Sequence, residues 1–293
     1  MSASVPTRRG FSALALALPL AACASPLKIF NALTPKEAGS RGVGRDLAYG
    51  PGPRQKLDVF APRAAAEAAP VLVFFYGGGW HVGEKSEYEF AGRAFAAQGF
   101  ITVVPNYRLA PEVKFPDFLE DCASAVKWVQ ANIASYGGDP RRIVMCGHSA
   151  GAYNAVMLAL DTRYARQGGF DLASIKGVAG LSGPYDFLPL DSKLSIGAFG
   201  GTPDLEQTQP VRFARAGAPP LLLIWGAKDR RVARRNIDSL AQAMRKAGGE
   251  VETIIYPKVN HGGTVVSLSI ALRGSAPVLQ DVTAFARRVT STS

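Results

Sequence analysis

Cysteine and histidine are scarce, each occurring three times in 293 residues. Three cysteines cannot build a disulfide framework, and three scattered histidines supply no zinc-binding array. The formal net charge is +10, yet no zinc-finger, helix-turn-helix or RNA-binding signature points it at nucleic acid. The cations are dispersed. Their densest group, Arg230, Arg231, Arg234 and Arg235, is expected at the start of a helix as a solvated face. The apolar stretch over residues 12–20 is too short for a bilayer that needs ~20 residues. No internal repeat or long linker divides the chain. A hydrophobic content of 47% suffices for one large core, so a single domain over residues 27–293 is expected.

Residues 1–26 do not read as part of that domain. Thr7-Arg8-Arg9-Gly10-Phe11 is a charged start, followed by a short Ala/Leu/Pro stretch, as in a signal peptide. The paired arginines followed by Phe resemble a twin-arginine export signal. Leu20-Ala21-Ala22-Cys23 resembles a bacterial lipobox, which makes Cys23 the expected lipidation site. An exported protein of the periplasm or cell envelope, tethered to the membrane by a lipid anchor, is the corresponding expectation. Cys122 and Cys146 read as small core residues, on an amphipathic helix and a buried strand. A bridge between them stays open at this level.

Residues 27–55 are rich in Gly, Pro and charge without clear periodicity, and are expected to wrap the outside of the domain. Beyond them, short apolar runs at 57–61, 71–76, 100–104, 142–146, 177–181, 221–225 and 251–256 read as strands. Their near-continuous hydrophobicity is that of strands covered on both faces. Helical patterns lie between, as over 117–134, where Leu119, Cys122, Ala123, Val126 and Val129 share a face. Strands separated by helices imply an α/β fold with a mainly parallel sheet. Residues 188–220 break this rhythm and are the natural place for a small cap.

The most informative stretch is Arg142-Ile143-Val144-Met145-Cys146-Gly147-His148-Ser149-Ala150-Gly151. A strand runs into Gly-His-Ser-Ala-Gly and a helical pattern follows. A serine on so sharp a strand-to-helix turn needs the room that flanking glycines supply, which is the arrangement of a nucleophile elbow. Ser149 as a simple helix N-cap is the bland alternative, and the two roles can coexist.

With the elbow in place, the chain resembles the α/β-hydrolases, nearest to esterases related to hormone-sensitive lipase and small bacterial carboxylesterases. Tyr76-Gly77-Gly78-Gly79-Trp80, Asn106-Tyr107-Arg108-Leu109-Ala110-Pro111-Glu112 and Phe115-Pro116 leading to Glu120-Asp121 carry the likeness. It extends from about residue 55 to the C-terminus. It implies an eight-stranded-type sheet with helices on both faces. It also implies an oxyanion hole formed by the backbone N–H groups of Gly78, Gly79 and Ala150. Tyr76 stands where the family usually has histidine, so the bonds bracing that loop must differ. The family's chain order, serine then acid then histidine, leaves His261 as the base, because His81 and His148 precede the serine. The pattern Gly226-Ala227-Lys228-Asp229-Arg230-Arg231-Val232 makes Asp229 the expected acid. Asp186 is the second candidate, and Asp204 reads as a turn residue in the cap.

The resemblance therefore implies a serine hydrolase acting on small or accessible carboxylic esters, without cofactor or metal. The glycine triplet lacks the Lys-Ser/Thr ending of a phosphate loop. An amide hydrolase of arylformamidase type and a catalytically silent binding lipoprotein are the alternatives.

Overall fold

The structure, a computed structural model, describes residues 25–64 and 68–291. The export and lipobox motifs, Cys23 included, lie outside the described residues. No described helix is long and apolar enough to cross a membrane.

The chain enters through helix α1 (Pro26–Leu33) and strand β1 (Ser40–Ala48), then β2 (Lys56–Pro62) and β3 (Ala69–Phe75). Next come α2 (Glu89–Ala97), β4 (Ile101–Pro105), α3 (Asp117–Asn132), β5 (Gly138–His148), α4 (Ala150–Leu160), α5 (Thr162–Gly168) and β6 (Ile175–Leu181). The remainder is α6 (Lys193–Phe199), β7 (Leu221–Gly226), α7 (Arg235–Lys246), β8 (Val251–Tyr256), α8 (Gly263–Val266) and α9 (Val278–Thr290).

The strands form one eight-stranded sheet in the order β1-β2-β4-β3-β5-β6-β7-β8. β2 runs antiparallel to both β1 and β4, and all the other neighbours are parallel. Val73, on the central strand β3, pairs with Val103 on one side and Met145 on the other. Successive residues of a strand point to opposite faces. Val71 through Tyr76 are all fully buried, so both faces of the sheet are covered at its centre, while the edge strands β1 and β8 stay partly exposed. Each such Val, Leu or Phe side chain removed from water contributes about 1.5–3 kcal/mol.

Two expectations need correction. Residues 27–55 are not an irregular wrap: Ser25 caps α1 by accepting from the Lys28 N–H, and Pro26 opens it. β1 then adds an edge strand beside β2. The arginine group opens a helix only in part: Arg234 holds the N-cap position and Arg235 is the first residue of α7, while Arg230 and Arg231 lie in the loop before it. Cys122 and Cys146 are buried and free, so no bridge joins them.

Helix α4 is buried along its whole length, as a helix apolar all round must be. Its apolar surroundings fix the axis that leads away from Ser149. Because β3 and β5 to β8 are parallel, their C-terminal ends share one edge of the sheet, where sites form in open α/β folds.

Candidate active site

Ser149 occupies the turn between β5 and α4 with φ 54° and ψ −121°, a strained backbone for a residue with a side chain. The flanking glycines make the turn possible. A Cβ at Gly147 would lie 2.3 Å from the Gly151 carbonyl oxygen, and one at Gly151 would lie 2.1 Å from that of Phe75.

His261 comes from the loop after β8 and Asp229 from the loop after β7. Asp229 Oδ2 accepts from His261 Nδ1 at 2.7 Å. A carboxylate can only accept, so Nδ1 carries the proton, and Nε2 is left to accept from the Ser149 hydroxyl at 3.0 Å. Asp229 is oriented by its other oxygen, which accepts the Arg231 and Val232 N–H groups at 2.8 and 3.0 Å. Burial pushes the Asp229 carboxyl up, but the bonds from His261, Val232 and Arg231 outweigh it and hold the group below the ordinary carboxylate range. Asp186 is not in this chain of contacts; its backbone N–H donates to Asn236 Oδ1. Asp204 caps a short turn by accepting from the Glu206 N–H.

His261 is held by a residue the sequence reading passed over. His148 Nε2 lies 3.0 Å from the His261 carbonyl oxygen. That oxygen can only accept, so His148 is protonated at Nε2, while its buried Nδ1 has no partner among the described residues. Burial, then the neighbouring His261, push the His148 pKa down to about 3, so the ring stays neutral. Thr264 Oγ1 donates to the same carbonyl at 2.9 Å and is itself paired with Ser182 Oγ at 3.1 Å. The only sequence cue to His148 was its place beside the nucleophile.

The glycine loop after β3 places Gly78 and Gly79 on the same cavity as Ser149. Among the described residues neither N–H is committed to a backbone acceptor, and Ala150, first in α4, has no acceptor inside its helix. Gly78 has φ 139°, and a Cβ there would sit 1.9 Å from the Val82 carbonyl oxygen. In place of a histidine, aromatic stacking and one guanidinium brace the loop. Tyr76 stacks between Tyr88 and Tyr107, with ring centroids 5.5 and 4.6 Å away. Tyr107 donates its hydroxyl to the Tyr76 carbonyl at 2.8 Å. Arg54 donates to the Tyr76 hydroxyl and to the carbonyls of Tyr107 and Gly83 at 2.7–2.9 Å.

Ser149, His261 and the glycine loop all line one cavity of about 1480 Å³. Leu27 and Phe30 of α1, Val82, and Leu194 from the 188–220 segment supply apolar wall. A hydroxyl whose proton can pass to an imidazole, beside uncommitted N–H donors, is equipped for attack on an acyl carbonyl.

Comparison with known proteins bears on the family and the fold. The BD-FAE family pattern matches residues 57–244. The chain belongs to the BD-FAE family. Its curated relatives include a probable isoprenylcysteine alpha-carbonyl methylesterase of Oryza sativa subsp. japonica, 29% identical over 80% of this chain and 60% of the relative. Esterase LipQ of Mycobacterium tuberculosis is 31% identical over 78% of this chain and 58% of its own length. The chain thus spans about 60% of the length of these relatives. Among solved structures, a truncated carbohydrate esterase from gut microbiota superposes with a TM-score of 0.78 at 20% identity, covering 88% of this chain and all of that one. An inhibited esterase B from Lactobacillus rhamnosis superposes equally well at 18% identity, covering 90% and 91%. These likenesses establish this BD-FAE member's α/β-hydrolase fold, with its mainly parallel eight-stranded sheet.

Proposed function

We propose that this BD-FAE protein hydrolyses carboxylic esters of small or accessible acyl groups through an acyl-enzyme on Ser149. The observation that carries the reading is the unbroken hydrogen-bonded chain Asp229–His261–Ser149 at the floor of an open cavity. His261 Nε2 takes the hydroxyl proton as Oγ attacks the carbonyl carbon. Gly78, Gly79 and Ala150 donate to the oxyanion. The tetrahedral intermediate collapses, His261 returns the proton to the departing alkoxide, and the alcohol leaves. Water repeats the cycle and frees the acid. Residues 188–220 serve as a small cap over the cavity. The relatives named as esterases support the choice of ester over amide.

Purified protein should turn over short p-nitrophenyl esters faster than N-formyl anilines, and a fluorophosphonate should label Ser149 alone. Neither turnover nor labelling would sink the reading; preference for the anilide would move it to amides. The leader motifs support export and lipid anchoring at Cys23, and Cys23→Ala should then release the protein from membranes.

A further inference from the structure

The arginine group is exposed, but it does not face bulk water alone. Lys228, Arg230, Arg231 and Arg235 all line the cavity that holds Ser149 and His261. Arg234, the one that does not, pairs with Asp238 at 3.1 Å. Among the described residues no carboxylate lies within ion-pair distance of the other four. The acidic side chains lining the same cavity are Glu87 and Asp191. Glu87 is buried and accepts from the Ser25 hydroxyl. Four cations thus meet two carboxylates across one cleft.

The cations are also held in place relative to the nucleophile. Lys228, Arg230 and Arg231 sit on the loop that supplies Asp229, which is tied down by Lys228 N–H donating to the Val259 carbonyl at 2.9 Å and Asp229 N–H to that of Gly226 at 2.8 Å, and Arg235 opens α7 just beyond it. The Arg231 and Val232 N–H bonds to Asp229 fix the following turn. Arg235 donates to the Leu188 carbonyl at 2.7 Å, which orients it beside the segment over the cavity. Apolar wall from Leu27, Phe30, Val82 and Leu194 completes the cleft. A cleft with an excess of one sign of charge and low-dielectric walls concentrates ligands of the other sign.

We propose that Lys228, Arg230, Arg231 and Arg235 form an anion subsite, and that the substrates are esters carrying a carboxylate away from the scissile bond. This rests on the ester-hydrolase reading above. Each exposed cation is worth at most a few-fold in affinity, and the group together about tenfold.

Two matched pairs of substrates test it: p-nitrophenyl butyrate against its 3-carboxy derivative, with the charge on the alcohol, and methyl hexanoate against monomethyl adipate, with the charge on the acyl group. The readout is the ratio of kcat/KM for the anionic over the neutral member, which normalises each protein to itself. In at least one pair the ratio should fall about threefold in Arg230→Gln/Arg231→Gln, through KM. Arg230→Lys/Arg231→Lys should restore it. High salt should shrink it in the native protein, because exposed charges are screened. Unmoved ratios in both pairs, with the neutral esters still hydrolysed, would overturn the subsite alone. Loss of binding to phosphatidylglycerol vesicles by the Gln variant, with unmoved ratios, would overturn it in favour of a membrane-facing patch. No turnover of either neutral ester would overturn the hydrolase reading and the subsite with it.

Discussion

His148 carries a pH-dependent stability that can be separated from the rest of the molecule. Its buried ring has a pKa pushed down to about 3, by burial first and by His261 second. In the unfolded chain a histidine titrates near pH ~6.5. Between these values the unfolded state binds a proton that the folded state refuses, so stability rises with pH across this window and is lost as pH falls below about 6.5. At pH 5 the unfolded state gains about 2 kcal/mol from that proton while the folded state gains almost nothing. His148→Gln removes the titrating ring and keeps an N–H able to reach the His261 carbonyl. Urea unfolding followed by tryptophan fluorescence at pH 7 and pH 5 should show the native protein losing about 2 kcal/mol more than the variant between the two values. Parallel losses in both proteins would mean that His148 is not a neutral buried ring.

Two further substitutions probe the site directly. Asp229→Asn keeps an oxygen for the Arg231 and Val232 N–H groups but presents the wrong partner to His261 Nδ1, so kcat on p-nitrophenyl butyrate should fall about 10⁴-fold with the circular dichroism unchanged; a fall below about tenfold would pass the role to another acid. Gly78→Ala drives a Cβ into the Val82 carbonyl and displaces an oxyanion donor, so kcat should drop about 10²- to 10³-fold. Activity within about twofold of native would place the donors elsewhere.

The parts of the fold legible in the sequence are those where one physical requirement dominates. β3, β6 and β7 are buried on both faces and read as continuous apolar runs. β1 shows the opposite case. Of its nine residues only Ser40 is buried, two are glycines, and its ladder with β2 shifts register twice, so no alternating pattern marks it. α1 announces itself only through the Ser25-Pro26 start, immediately after a leader that reads as something else. The brace of the glycine loop was legible only as a gap. Tyr76 in place of histidine showed that other bonds were required, yet Arg54, Tyr88 and Tyr107 come from three separate segments and meet only in the folded sheet.

The arginine group shows the limit of local reading most clearly. High charge density correctly implied exposure, because desolvating unpaired guanidinium groups is costly. Exposure, however, does not say which surface a side chain looks onto. That follows from strand order: β3, β5, β7 and β8 are scattered along the chain but lie within one run of the sheet, all ending at the same edge. The loop after β3 then carries Gly78 and Gly79, the loop after β5 carries Ser149, and the loop after β8 carries His261. The loop after β7 carries Asp229 with Lys228, Arg230 and Arg231 immediately around it. Once Asp229 is fixed against His261, the cations one and two residues away can project only into or around the same cleft. On the proposed reading, the loop after β7 does two jobs with adjacent residues: an inward carboxylate for His261, and outward positive charge for whatever enters.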